Sequence, residues 1–194
     1  MSTRVEQYRS AVLTTANQLT ILRIVFVPVF IILLAYREIG WALGTFVLAG
    51  ITDVLDGIIA RRFGQKTSIG AVLDPLADKL LMTTSILILS LSQMEFLNTI
   101  PRWLMIIVIF RDLFILLVSL ITVLMVGWRT FKPTRYGKAS TVLQVLMVLA
   151  VLYSNWKNIV VPELHIMFYM TGFMTAFSGL HYLITGRRYW YFNE

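Results

Sequence analysis

Six apolar stretches, separated by short polar connections, organise the chain. They run over residues 21–36, 41–60, 71–92, 103–127, 141–156 and 164–185. An apolar run of about 17–25 residues can cross the roughly 30 Å hydrocarbon core of a bilayer as a helix. The pattern therefore predicts an all-α fold, an integral membrane bundle of six transmembrane helices in a single domain over residues 1–194. Residues 3–14 can add a short amphipathic helix lying on the membrane surface. No internal repeat or low-complexity segment appears. The two halves do not match, unlike those of inverted-repeat transporters.

Composition strengthens this reading. Hydrophobic residues make up 58% of the 194 positions, against about 45–50% in a typical soluble domain. Charged residues make up 14%, against roughly 25%. These values exclude a disordered chain and an ordinary soluble domain. The net charge is +7. In so apolar a chain, basic residues mark loops facing anionic headgroups or phosphates rather than nucleic acid. No cysteine is present, which removes disulfides, thiolate metal sites and cysteine nucleophiles. The first apolar stretch is too long for a signal-peptide core and is followed by further spans.

The distribution of charge orients the bundle. With six spans, one side carries Arg4, Arg9, Arg61, Arg62, Lys66, Arg129, Lys132, Arg135, Lys138, Arg187 and Arg188, eleven of the 17 basic residues. The opposite loops carry three, Arg37, Arg102 and Lys157, and the other three (Arg23, Lys79, Arg111) fall within spans or at their ends. The positive-inside rule places both termini in the cytoplasm.

Charges inside spans cost at least about 2.5–3.5 kcal/mol each near the bilayer centre, so they are functional candidates. They concentrate between Asp53 and Lys79. Asp53, Asp56, Gly57 and Ala60 share one helix face by spacing, and Gly70, Asp74 and Asp78 share another. Side by side, two such helices aim four carboxylates at one another. Arg61 and Lys79 flank the cluster and are too few to balance it. A hard divalent cation with oxygen ligands, one or two Mg²⁺ or Mn²⁺, suits the set. Small residues on the acidic faces let a bulky ligand approach the backbone, and Arg61 suits a phosphate or diphosphate. Metal-assisted phosphoryl chemistry follows. Carboxylates snorkelling to the interface, or an ion or proton pathway of a transporter, are the competing readings.

The run Asp53-x2-Asp56-Gly57-x2-Ala60-Arg61-x8-Gly70-x3-Asp74-x3-Asp78 resembles the signature of the CDP-alcohol phosphatidyltransferases at all eight fixed positions. Members of that family transfer a phosphatidyl or similar group from a CDP-linked donor to an acceptor hydroxyl and release CMP. The resemblance implies that Asp53, Asp56, Asp74 and Asp78 bind the metals, with Asp78 the general base for the acceptor hydroxyl. It implies that Gly57, Ala60, Arg61 and Gly70 receive the cytidine and diphosphate. It also implies a homodimer.

Other positions resemble the family more loosely. Asn17-x-Leu19-Thr20-x2-Arg23 is similar to the start of its first span. Arg111-Asp112 inside the fourth stretch is similar to an Arg-Asp or Arg-Glu pair of members with anionic acceptors, so Arg111 is expected either to bind the acceptor phosphate or to form an ion pair, internal with Asp112 or between helices. Lys138 matches a basic position of the same phosphate site. The surroundings of the signature resemble the phosphatidylglycerophosphate and cardiolipin synthase branch, which implies CDP-diacylglycerol as donor. Glycerol-3-phosphate is the acceptor expected first, and phosphatidylglycerol the alternative. The segment from Lys132 to Gln144 looks like the cardiolipin side. Many bacterial phosphatidylglycerophosphate synthases place Gly-Leu-Arg shortly after the pair, where this chain has apolar residues through Val118. His165 and His181 lack metal-ligand spacing. Trp41, Trp103, Trp128, Trp156 and Trp190 fall near span ends as an aromatic belt.

Overall fold

Long apolar runs bounded by polar turns fold here as helices. The structure is a computed structural model. It describes residues 15–63, 68–91, 94–126 and 135–191, with side chains over 22, 24–55, 79–91, 94–118 and 135–182. Among the described residues there are six helices and no strand. They are α1 (Thr15–Ala35), α2 (Ile39–Phe63), α3 (Ser68–Ser90), α4 (Arg102–Val126), α5 (Arg135–Trp156) and α6 (Leu164–Tyr191). The expected surface helix over residues 3–14 lies outside the described residues, as do Lys66, Trp128, Arg129 and Lys132. Among the described residues one helix, Arg135–Trp156, is long and apolar enough by itself to cross a membrane, and shorter apolar helical stretches occupy Ile24–Ala35, Ile39–Leu55 and Lys79–Ser90.

The chain divides into two compact units, Met1–Ile88 and Leu89–Glu194. In the first, α1 and α2 form an antiparallel hairpin. Phe30, Leu34, Ala42, Phe46 and Ala49 are buried, at spacings of three, four and seven that place them along one face of each helix. The Phe30 and Phe46 rings lie 6.0 Å apart at 45°. The turn between the helices is set by backbone bonds. Glu38 N donates to Leu33 O at 2.8 Å and Arg37 N to Leu34 O at 3.1 Å. That is a Schellman cap, with Arg37 at φ 62° in the left-handed position usually given to glycine. On α3, Leu81, Met82, Ser85, Ile86, Ile88 and Leu89 are buried. The Ser85 hydroxyl donates to Leu81 O at 2.7 Å, so burying it leaves no unpaired donor.

In the second unit, α6 packs against both α4 and α5. α5 ends in a second Schellman cap, with Ile159 N donating to Ser154 O at 3.0 Å and Asn158 at φ 57°. Two asparagines then tie the connections together. Asn98 N donates to Asn155 Oδ1 at 2.8 Å, and Asn155 Nδ2 returns a bond to Asn98 O at 2.8 Å. The Asn98 side chain donates to Ile159 O at 2.7 Å and accepts from Val161 N at 3.2 Å. Four bonds thus join the segment before α4 to the end of α5 and the loop beyond it.

Close approach of α6 to α4 depends on Gly172. A Cβ there would lie 2.6 Å from Cζ3 of Trp103, and the Trp103 indole stacks on Tyr169 at 5.4 Å and 23°. Gly172→Ala gains up to about 1 kcal/mol of helix propensity and loses about 1–3 kcal/mol to overpacking. The variant is expected to be less stable by about 1 kcal/mol, read as a lowered unfolding midpoint. Adding Trp103→Leu should restore the midpoint.

Candidate active site

The eight signature positions fall on the backbone of two consecutive helices. α2 carries Asp53, Asp56, Gly57, Ala60 and Arg61, and α3 carries Gly70, Asp74 and Asp78. At about 1.5 Å rise per residue, the two acids of α2 are roughly 4.5 Å apart along the axis and those of α3 roughly 6 Å. Of the four aspartates, only Asp53 lies among the described side chains; it is half-buried. The neighbouring Thr52 hydroxyl is turned back to Ala49 O at 2.8 Å. The side chains of Asp56, Ala60, Arg61, Asp74 and Asp78, and the surroundings of Gly57 and Gly70, lie outside those described, as does the side chain of Arg23. Among the described residues no three histidine or acidic side chains group together as a metal site. The donor set itself suits a hard divalent cation. It offers four carboxylates on two helices, and no thiolate or imidazole within the signature.

The second unit holds the other two expected residues. Arg111 on α4 is 8% exposed and Asp112 4%. Adjacent residues on a helix do not face each other. Even so, Arg111 Nη1 reaches Asp112 Oδ1 at 2.7 Å, wrapping around its own helix. From α6, the Ser178 hydroxyl accepts from Arg111 Nε at 3.1 Å and Nη2 at 3.0 Å. The internal ion pair expected of Arg111-Asp112 is therefore present, and an α6 hydroxyl holds it from the other side. Lys138 is exposed on the first turn of α5.

A buried polar contact joins α5 to α6 nearby in sequence. Ser140 Oγ and Thr175 Oγ1 share a hydrogen bond of 3.0 Å, and Gln144 Nε2 donates to Thr175 Oγ1 at 3.1 Å and Ser140 Oγ at 3.4 Å. Tyr136 packs on Phe177 and His181, with ring centroids 5.1 and 4.8 Å away. His165 packs edge-on to Phe168 at 5.9 Å. Sequence reasoning did not single out Ser178, Thr175, Ser140 or the Asn98–Asn155 pair. On α6 the signal was a polar stripe, Thr171, Thr175 and Ser178, recurring at four and three residues in an apolar helix.

Comparison with known proteins bears on most of the chain. The family model for CDP-alcohol phosphatidyltransferase matches residues 13–178. A probable cardiolipin synthase (CMP-forming) of Drosophila melanogaster is 33% identical over 197 residues, covering 93% of this chain and 60% of its own length. The cardiolipin synthase (CMP-forming) of Homo sapiens is 35% identical over 198 residues, covering 90% of this chain and 62% of its own. A probable phosphatidylglycerophosphate synthase of Mycobacterium tuberculosis (strain CDC 1551 / Oshkosh) is 34% identical over 149 residues, covering 72% and 66%. The chain thus spans less than two thirds of these relatives' lengths. A family match over most of the chain, on top of a complete eight-position signature, decides its membership: the chain belongs to the CDP-alcohol phosphatidyltransferase family.

Proposed function

We propose that this protein is a membrane-embedded, metal-dependent phosphatidyltransferase of phospholipid synthesis. It moves a phosphatidyl group from CDP-diacylglycerol to the hydroxyl of phosphatidylglycerol, forming cardiolipin and releasing CMP. The observation that carries the acceptor is the extent of similarity. The matches to CMP-forming cardiolipin synthases cover 90–93% of the chain, and the match to a phosphatidylglycerophosphate synthase covers 72%. Glycerol-3-phosphate, the acceptor expected first from the sequence, becomes the second reading, and the phosphatidylglycerophosphate synthase likeness favours it.

Each residue has a role in this reading. Asp53, Asp56, Asp74 and Asp78 would hold one or two Mg²⁺ or Mn²⁺. Bound there, the cations supply Lewis-acid neutralisation of charge on the donor's diphosphate oxygens. Gly57, Ala60 and Gly70 leave room for the nucleotide, and Arg61 pairs with the diphosphate. Asp78 takes the proton from the acceptor hydroxyl. Arg111 and Lys138 receive the acceptor's phosphate. One domain crosses the bilayer six times with both termini and the site cytoplasmic. The eleven-to-three division of loop charges supports this topology. A homodimer is part of the same reading, supported by family resemblance.

The test uses purified protein with CDP-diacylglycerol and Mg²⁺ or Mn²⁺, offered either acceptor. Release of CMP with formation of cardiolipin from phosphatidylglycerol is the expected result. Turnover only with glycerol-3-phosphate would replace the acceptor. Uptake of a solute into vesicles without any CMP would replace the enzyme with a transporter.

A further inference from the structure

Arginine in an apolar helix bundle is held where its hydrogen bonds are satisfied, and those bonds fix which way its remaining donors point. The guanidinium carries five N–H groups in one rigid plane. Three are engaged here: one on Nη1 by Asp112, one on Nη2 and the single one on Nε by Ser178. Among the described residues, one N–H on each of the two terminal nitrogens is left without a partner. The Ser178 hydroxyl accepts two bonds from the same plane, so rotating the guanidinium away from α6 would break both. Asp112 holds the opposite edge at 2.7 Å. The stem of the side chain also packs on α6. A Cβ on Gly179 would meet Arg111 Cγ at 3.5 Å, ordinary van der Waals contact, so the aliphatic stem runs directly over that glycine.

We propose that Ser178 is a positioning residue for the acceptor. With Asp112 it locks the Arg111 guanidinium plane between α4 and α6, so that the two remaining N–H groups are presented to an acceptor phosphate oxygen. Donors already fixed in one plane lose little freedom on binding a phosphate, and that pre-organisation raises affinity. The proposal rests on Arg111 being the acceptor-phosphate residue of the reading above. It adds that α6, through one hydroxyl, sets how well that arginine works.

The experiment compares the purified full chain with Ser178→Ala, Ser178→Thr and Arg111→Ala. CMP release is followed while phosphatidylglycerol and then CDP-diacylglycerol are varied, and unfolding midpoints are recorded. Ser178→Ala is expected to raise the acceptor KM about tenfold, with kcat within about twofold and the donor KM unchanged. Ser178→Thr, which keeps the hydroxyl, should stay near wild type. Arg111→Ala should lose more, and adding Ser178→Ala to it should cost nothing further, because the two act as one unit. An unchanged acceptor KM in Ser178→Ala would overturn the proposal. So would parallel losses in kcat and both KM values that track the unfolding midpoint, or failure of Ser178→Thr to preserve acceptor affinity. If the wild-type chain releases no CMP with any acceptor, the enzyme reading itself fails. Equilibrium binding of phosphatidylglycerol or glycerol-3-phosphate then decides the Ser178 role separately. Tenfold weaker binding to Ser178→Ala supports it, and equal binding refutes it.

Discussion

Asp78→Asn is expected to reduce CMP release by a factor of about a thousand or more. The substitution keeps the size and shape of the side chain and removes the charge and the basic oxygen. A general base contributes typically about 10²–10⁴-fold to rate. In the proposed mechanism this carboxylate is also a metal ligand, so both contributions are lost together. Asp56→Asn should be comparably damaging through the metal alone, and its loss should be partly offset by raising Mg²⁺ or Mn²⁺. Asp78→Asn should not respond to added metal in that way, because excess cation cannot replace a missing base. His181→Ala is the control. His181 packs against the Tyr136 ring and stands outside the signature, so turnover should stay close to wild type. Full turnover in Asp78→Asn would remove the role assigned to that residue.

Asn155→Leu is expected to destabilise the protein by about 2–4 kcal/mol. The Asn155 side chain is partner to both backbone polar groups of Asn98, at 2.8 Å each. Leucine fills the volume but leaves a buried N–H and a buried carbonyl unpaired. Each such group costs about 1–3 kcal/mol. Asn155→Asp should fall between, since it retains the acceptor for Asn98 N but loses the donor to Asn98 O. Asn98→Ala removes the other half, the bonds to Ile159 O and Val161 N. The double variant should lose less than the sum, because the four bonds hold one connection. Reversible unfolding in detergent, monitored by helical circular dichroism, reads all four variants.

The helices were legible from hydropathy, but unequally at their two ends. At the 36–38, 91–101 and 157–163 connections, the apolar runs stop within two residues of the observed helix ends. At 36–38 and 157–163 the backbone turns sharply through Schellman caps, so apolarity and helical bonding end together. At the other ends, five of six helices run three to six residues past the apolar stretch, as at Thr15, Phe63, Ser68, Arg135 and Tyr191. Hydropathy marks where apolar burial stops. Backbone hydrogen bonding continues through polar turns such as Arg135–Ser140, which remain good helix.

The signature was legible because helical spacing alone puts its acids on common faces. Arg111 was legible as a costly charge, but its partner across the unit was not. Ser178 is one small hydroxyl among many, and only the α4–α6 contact singles it out. The Asn98–Asn155 pair joins residues 57 positions apart, beyond the reach of any local periodicity.

The contact among Ser140, Gln144 and Thr175 bears on how the chain tolerates recombination. Apolar side chains attract from any azimuth, so a hydrophobic α5 could spin on its axis at little cost. Its two directional groups, Ser140 and Gln144, cannot follow, since a turn of one residue swings them about 100° away from Thr175. A chimera that imports α5 from a relative should therefore function only when its own α6 travels with it, as a transplanted pair rather than as interchangeable cylinders.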